Sequence, residues 1–278
     1  MPSDKEGPAS ARLPLEPVEP RWHPGLVVVS FIEQFGQVAE MTARAVIAAF
    51  RRPLELRATL HQMEVLGVAS LGIASVTALF TGMVMAVQFA YGLQQFGGME
   101  YTGRIVGLSF SRELAPTLTA VIVGGRIASG IAAEIGSMAV TEQIDAICAL
   151  GADPVKKLVT PRLLASLVVV PVLCSFALVL GFAGAMVITD VEFGIPASFF
   201  LRTALGSVMM SDYFSGAFKT PFFGAIIAVI GCHFGLRTRG GTEGVGQATT
   251  RAVVATAIAV LIADFFLTKA SIVLFPRH

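Results

Sequence analysis

Charge is what this sequence has least of. Of 278 residues only 14% are charged while 54% are hydrophobic, and the formal net charge is +1. A soluble domain normally carries about a quarter charged residues. The shortfall excludes a disordered chain and a nucleic-acid binder with a basic surface. Cysteine is scarce too. Cys148, Cys174 and Cys232 have no paired spacing, so neither a disulfide framework nor a cysteine metal site is expected. His23, His61, His233 and His278 are scattered, with no H-E-x-x-H or Cys/His cluster. There is no G-x-x-x-x-G-K-[ST], so no P-loop and no nucleotide hydrolysis by this chain is expected. No serine sits in a G-x-S-x-G elbow. Gly240-Gly241 and Gly244-x-Gly246 follow no strand, which argues against a dinucleotide site. Nothing supports an enzyme acting alone.

What the sequence has is long uncharged runs, preceded by a different kind of segment. Residues 1–24 hold Pro2, Pro8, Pro14, Pro17, Pro20 and Pro24 and both signs of charge. No apolar core precedes a small-residue cleavage site, so the stretch reads as a Pro-stiffened disordered extension, not a secretory signal. Over 26–50, Val28, Ile32, Phe35, Val38, Met41, Ala45 and Ile47 recur at roughly helical spacing among Glu33, Gln34, Gln37, Glu40 and Arg44. This predicts an amphipathic helix too polar to span. With Arg51, Arg52 and Arg57 after it, the helix fits a membrane interface with anionic headgroups. A solvated helix on a soluble partner is the alternative.

A bilayer core needs about 20 apolar residues. Glu64 and Glu100 bracket a stretch without charge, so 65–93 is the first expected span. The others are 105–126, 163–189, 220–236 and 252–275. Basic residues cluster before the first span, between the second and third (Arg126, Lys156, Lys157, Arg162) and between the fourth and fifth (Arg237, Arg239, Arg251). The intervening segments hold Arg104, then Arg202 and Lys219, and Arg277 comes after the fifth span. This alternation predicts an all-α membrane protein: an amphipathic interfacial helix, then five transmembrane helices, with the N-terminus cytoplasmic and the C-terminus outside.

Several polar groups fall at membrane depth. Arg112 and Glu113 lie about 12–13 Å into the second span at 1.5 Å per residue. Charged groups there are costly and usually face the bundle interior or a wet cavity. They line a cavity or gate, or they are a structural pair neutralised by each other, by Asp264 or by Lys269. Being adjacent, they point in different directions and need separate partners. Pro116 frees a backbone carbonyl near Arg112 and favours a kink. Asp264 and Lys269 are five residues apart and share a face poorly, and Lys269 has the reach to snorkel outward. Small residues recur at four-residue spacing: Gly124, Ala128, Ala132; Gly125, Ser129, Ala133; and Gly231, Gly235. Such rows let helices approach closely, here expected to be mainly within one chain.

Residues 133–162 read as a cytoplasmic loop by the charge rule. Ile144, Ile147 and Leu150 are expected toward one side of a helix, with Glu142 and Asp145 on another. Asp153-Pro154 reads as a turn and helix start. The loop helix either docks on a partner or packs on its own bundle.

These residues also form an ordered set of motifs. Arg112-Glu113-Leu114-Ala115-Pro116, Gly125-Arg126, Ala133-Glu134-Ile135-Gly136 and Thr141-Glu142-Gln143-Ile144-Asp145-Ala146 precede Asp153-Pro154 and Thr160-Pro161-Arg162. Near the end stand Ala248-Thr249-Thr250-Arg251-x-Val253-Val254 and Asp264-Phe265-Phe266-Leu267-Thr268. Together they resemble the MlaE (YrbE) family of ABC-transporter permeases over residues 26–275, leaving 1–24 as an extension ahead of a permease domain at 25–278.

The resemblance implies a homodimer in the bacterial inner membrane, multi-pass. It implies a cytoplasmic ABC ATPase that binds the ATP, a periplasmic MCE-domain protein and a small STAS-domain accessory subunit. No cofactor in this chain and no nucleic-acid partner are expected. The cargo implied is phospholipid, or a sterol, fatty acid or other hydrophobic compound. Glu134, Glu142, Gln143 and Asp145 resemble the coupling helix that docks on the ATPase. Arg112 and Glu113 resemble the family's charged pair near the lipid cavity, and by position Gln88, Phe89, Tyr91 and Leu93 line the place where acyl chains sit. A non-transporting scaffold and an ion-coupled transporter using Arg112, Glu113 and Asp264 are the other classes. The second often carries internal repeats, and none is evident here.

Overall fold

The computed structural model describes residues 24–50 and 55–274. Two compact units divide the chain, residues 1–37 and 38–278. The described part of the first is the beginning of helix α1 (Pro24–Phe50), and the helical bundle belongs to the second. The Pro-rich extension over 1–24, apart from Pro24, lies outside the described residues, as do Arg51, Arg52 and Arg277.

After α1 come α2 (Leu56–Gln94), a 3₁₀ turn (Met99–Tyr101), α3 (Thr102–Ser109), a π-helical turn (Phe110–Leu114) and α4 (Ala115–Val140). A short α5 (Gln143–Ala149) and a second π-turn (Val155–Val159) lead into α6 (Thr160–Phe193). The chain then forms α7 (Ala197–Ser207), α8 (Met210–Leu236) and α9 (Gly241–Leu274). No strand occurs among the described residues. Five helical runs are long and apolar enough to cross a membrane: Leu56–Gln94, Met99–Val140, Val155–Phe193, Met210–Leu236 and Gly241–Leu274. The all-α, five-span architecture expected from the sequence is the one the chain adopts.

The helices run further than their uncharged cores. The second run extends to Val140, so Arg126 sits inside a helix and residues 133–140 are helical, not loop. The fourth begins at Met210, ten residues before the expected 220, and takes in Asp212 and Lys219. Lys219 is therefore not a loop residue: it is fully buried in α8. Asp153 accepts a hydrogen bond from the Val155 N–H at 2.9 Å, and the helix starts at Pro154.

Lipid tails are as apolar as leucine, so helices in a membrane hold together through close van der Waals packing. The sequence supplies that closeness at four-residue intervals. The buried face of α2 is Gln62, Leu66, Ser70, Ala74, Ala78, Gly82, Ala86 and Ala90. It lies along α6, with Gly67 beside Val169 and Gly82 against Gly181. A methyl group at Gly82 would stand 2.0 Å from the Gly181 carbonyl oxygen. The small-residue rows on α4 and α8 face one another in the same way. A methyl at Gly124 would meet Ile227 at 2.7 Å, and one at Gly231 would meet the Ala128 carbonyl at 2.9 Å.

One end of the bundle carries α5 and the α8–α9 turn, where Gly136 abuts Thr238, Lys157 pairs with Glu55 at 3.8 Å and Arg162 with Glu134 at 2.8 Å. The other end carries α7, with Tyr91 edge-on to Phe193 at 5.2 Å and the Ser207 hydroxyl on the Arg104 carbonyl at 3.4 Å. Only residues 237–240 separate α8 from α9, and Gly240 and Gly241 both take positive φ, 87° and 70°.

Gly82→Ala should lower stability by about 1–3 kcal/mol by forcing two backbones apart. Gly72→Ala, where an added methyl meets nothing within 4 Å, should leave stability unchanged or slightly raised. Unfolding of the two variants in detergent, monitored by circular dichroism, checks the contrast.

Candidate functional site

The site is built on a break in helical hydrogen bonding. Pro116 has no N–H to give, and its ring crowds the preceding turn. The chain widens there: the Ala115 N–H reaches back five residues to the Phe110 carbonyl, closing a π-turn over Phe110–Leu114. The same pattern recurs before Pro161, where the Thr160 N–H reaches the Val155 carbonyl. The first π-turn is clamped on both sides. The Phe110 ring covers Gly181 of α6, and Gly216 of α8 lies so close to the Ser111 carbonyl that an added methyl would stand 2.2 Å away.

Arg112 and Glu113 leave this turn in different directions and take separate partners, neither of them Asp264 or Lys269 directly. Arg112 Nε lies 3.6 Å from Asp212 Oδ1, and Asp212 is 1% exposed. Asp212 also accepts the Met209 N–H at 2.9 Å, at the start of α8. Glu113 accepts from Lys219 Nζ at 2.5 Å. The same ammonium donates to Asp264 Oδ1 at 3.2 Å and to Thr268 Oγ1 at 2.6 Å. An ammonium has three donors and no acceptor, and all three are used. Thr268 in turn donates toward Glu113 at 3.3 Å, closing a ring of side chains from three helical runs.

Burial is uneven in this ring. Lys219 is 0% exposed and Asp264 18%, but Glu113 is 40% exposed and Arg112 26%. The exposed edge borders a cleft of about 260 Å³ lined by Leu108, Ser109, Arg112, Glu113, Ser271 and Ile272. The cleft thus offers a guanidinium and a carboxylate side by side, with Leu108 and Ile272 as its apolar walls and two serines between. Around it, two cations stand against three carboxylates, Glu113, Asp212 and Asp264. Lys269 takes no part: its ammonium lies over the Phe265 ring at 5.3 Å.

The remaining candidate residues lie elsewhere. Gln88 is exposed. Phe89 packs on a small core of Ala86, Val106, Ala185, Phe200 and Ala204. Tyr91 stands edge-on to Phe193, and Leu93 gives its carbonyl to Gly98 N–H at 3.0 Å. None of the four lines the Arg112–Glu113 cleft. At the opposite end of the bundle, Glu134 is half-exposed and pairs with the buried Arg162, while Asp145 is exposed on α5. Gln143 donates to the Thr141 hydroxyl at 3.0 Å. Glu142, between α4 and α5, has φ +59°, an uncommon backbone for a residue other than glycine. Ile144 packs on the main core, but Leu150 is 86% exposed, so the expected apolar side of Ile144, Ile147 and Leu150 does not hold together.

Sequence reasoning missed Asp212 and passed over Lys219 as a loop cation. The signal was present. Asp212, Gly216 and Lys219 fall at i, i+4 and i+7 on one helix face. Starting the fourth span at its first long uncharged run cut that face away.

A five-span helical bundle with charge gathered inside it is a multi-pass membrane protein, and its chemistry suits handling of a polar or amphiphilic molecule. Comparison with known sequences narrows the class. The family described as Permease MlaE matches residues 59–270, and the chain belongs to that family. A probable ABC transporter permease protein of Synechocystis is 42% identical over 82% of this chain and 87% of its own length. A chloroplastic protein of Arabidopsis thaliana, named Trigalactosyldiacylglycerol 1, is 36% identical over 90% of this chain and 70% of its own. A probable ABC transporter permease protein of Rickettsia typhi is 34% identical over 88% and 95%. Family membership makes the chain a transporter's permease subunit rather than a catalytic enzyme.

Lys219→Met should destabilise the bundle by about 3 kcal/mol or more, because Glu113 and Asp264 then face each other without a cation. Thr268→Val, which removes one hydroxyl from the ring, should cost nearer ~1 kcal/mol. Denaturant titrations in detergent measure both.

Proposed function

We propose that the chain is the membrane permease of an ABC transporter that moves phospholipid between the inner membrane and a periplasmic MCE-protein carrier. The energy comes from ATP bound by a separate ATPase subunit, and the chain itself needs no cofactor. One observation carries the reading: Arg112 and Glu113 open together onto a cleft whose other walls include Leu108 and Ile272. A phospholipid has a phosphate that a guanidinium pairs well and, in zwitterionic lipids, an amine that suits a carboxylate. Its tails need an apolar shelter. A sterol or fatty acid would use less of this charge, which favours phospholipid among the hydrophobic cargoes. The Arabidopsis relative bears the name of a two-tailed diacylglycerol lipid, which supports a lipid cargo without bearing on its headgroup.

The remaining assignments rest on charge and exposure. With Lys219 inside α8, the α7 end has fewer basic loop residues than the expected alternation assumed, and Lys156, Lys157, Arg237 and Arg239 mark the α5 end. The positive-inside rule puts the α5 end in the cytoplasm. The ATPase then docks at Glu134, Glu142, Gln143 and Asp145, and a STAS-domain subunit accompanies it on that side. Arg126 is exposed in mid-α4, where its guanidinium donates to Ser70 at 3.0 Å. A charge facing lipid at that depth is costly, and a second copy across a shared wet cavity relieves the cost. This supports a homodimer.

Two substitutions separate transport from scaffolding. Glu113→Gln leaves Lys219 paired with Asp264 and Thr268, so assembly should persist while lipid transfer in proteoliposomes falls about tenfold, the loss of ~1.4 kcal/mol of headgroup interaction. Unchanged transfer would reduce the pair to a structural role. Asp145→Lys should release the ATPase on co-purification and abolish transfer with it. A complex that loses its ATPase and still moves lipid would overturn the ABC mechanism.

A further inference from the structure

The Arg112 cleft is not the largest concavity of the described residues. At the α7 end a cleft of about 520 Å³ opens between the start of α3 and the outer face of α7. The two helices are drawn tightly together. A methyl on Gly103 would stand 2.3 Å from the Thr203 hydroxyl, and one on Gly107 3.1 Å from the Ala204 carbonyl. This packing brings Arg104 and Arg202, the neighbours of Gly103 and Thr203, to one cavity. Both are exposed, and neither makes an ion pair with any described residue. Glu100 shares the cleft, leaving it two guanidinium groups against one carboxylate.

Helix α3 links this cleft to the first. Arg104 and Leu108 are one turn apart on α3, and Arg112 follows four residues later inside the π-turn. Arg104 and Leu108 each line one of the two clefts, and Arg112 stands about 12 Å along the axis from Arg104. Two guanidinium groups without an ion-pair partner in one cleft, one turn along α3 from the leucine of the inner cleft, suit an anion.

We propose that Arg104 and Arg202 hold the phosphate of a lipid headgroup that has left the Arg112–Glu113 cleft, so that the α3–α7 cleft is a second station on the lipid's route. The inference rests on the lipid-handling reading of the Arg112–Glu113 cleft for the origin of its ligand. The chemistry recognised is a phosphate ester, and free inorganic phosphate shares it.

The test uses the full-length chain, with the subunits that co-purify with it, in lipid nanodiscs. The probe is phosphatidylglycerol carrying a photoreactive diazirine on its headgroup. Diacylglycerol carrying the same group is the phosphate-free control. Labelled peptides are mapped by mass spectrometry at both clefts. Phosphatidylglycerol should label the α3–α7 cleft, diacylglycerol should not, and the double variant Arg104→Gln/Arg202→Gln should lose at least about fivefold of that label while the inner cleft keeps its own. Arg104→Lys/Arg202→Lys, which keeps the charge without the fork, should retain part of it. Equal labelling by diacylglycerol, or full labelling in the glutamine variant, overturns the subsite. Displacement of the label by millimolar inorganic phosphate would assign the arginines to free phosphate and remove the lipid. Arginine-dependent label at the outer cleft with none at the inner one would keep the outer anion site and sink the reading of Arg112 and Glu113 instead. With no label at either cleft, both fall.

Discussion

An ammonium group shut away from water must have its charge answered on every side, and in this protein that requirement gathers three spans around Lys219. The cation has no exposed surface, and its three donors go to Glu113, Asp264 and Thr268. Glu113 belongs to the π-turn between α3 and α4, and Asp264 and Thr268 to α9. The second, fourth and fifth spans are therefore tied at one depth by directed bonds, in addition to the packing that joins them along their length. That tie also fixes what the cleft exposes. With Lys219 behind it, Glu113 is held on one side while part of its carboxylate looks outward. Arg112, held by Asp212, does the same beside it.

Both outward looks come from adjacent residues inside the π-turn. Neighbours on a regular helix diverge by about 100° at 3.6 residues per turn. The wider turn changes the register at Phe110–Leu114, so that Asp212 and Lys219, two turns apart on α8, receive one partner each. Close approach by α8 is part of the same arrangement, since Gly216 lies between those two residues and touches the turn's backbone.

The first and third spans were legible in the sequence because freedom from charge over more than 20 residues suits a bilayer core and little else. The four-residue rows of small side chains were legible too, and Gly124, Gly231 and Gly235 do pack within the chain. Their longest example, from Ser70 to Ala90 on α2, lies inside a run that is apolar on all sides. The fourth span starts earlier than its uncharged run for a physical reason: charge marks water only where it is unanswered, and Asp212 and Lys219 are answered by other charges. The π-turns left only an indirect mark, since hydrogen-bond register has no residue code. Ala115-Pro116 and Thr160-Pro161 mark the two places. Leu150 does not share the buried side because α5 ends at Ala149, and Leu150 falls in the turn that Gly151 closes with φ +74°.

The turn between α8 and α9 gives the bundle a mechanical property. Residues 237–240 are all that separate helices of 27 and 34 residues, and the left-handed glycines at 240 and 241 fold the chain back within that length. Such a connection has no slack to take up a push. A second fastening, Lys219 to Asp264, lies about 26 Å up α8 at 1.5 Å per residue. Pinned at both places, the hairpin behaves as a single stiff lever. Displacement at the end that holds the turn is then shared by both helices, and it reaches Glu113 through the same Lys219 that joins them.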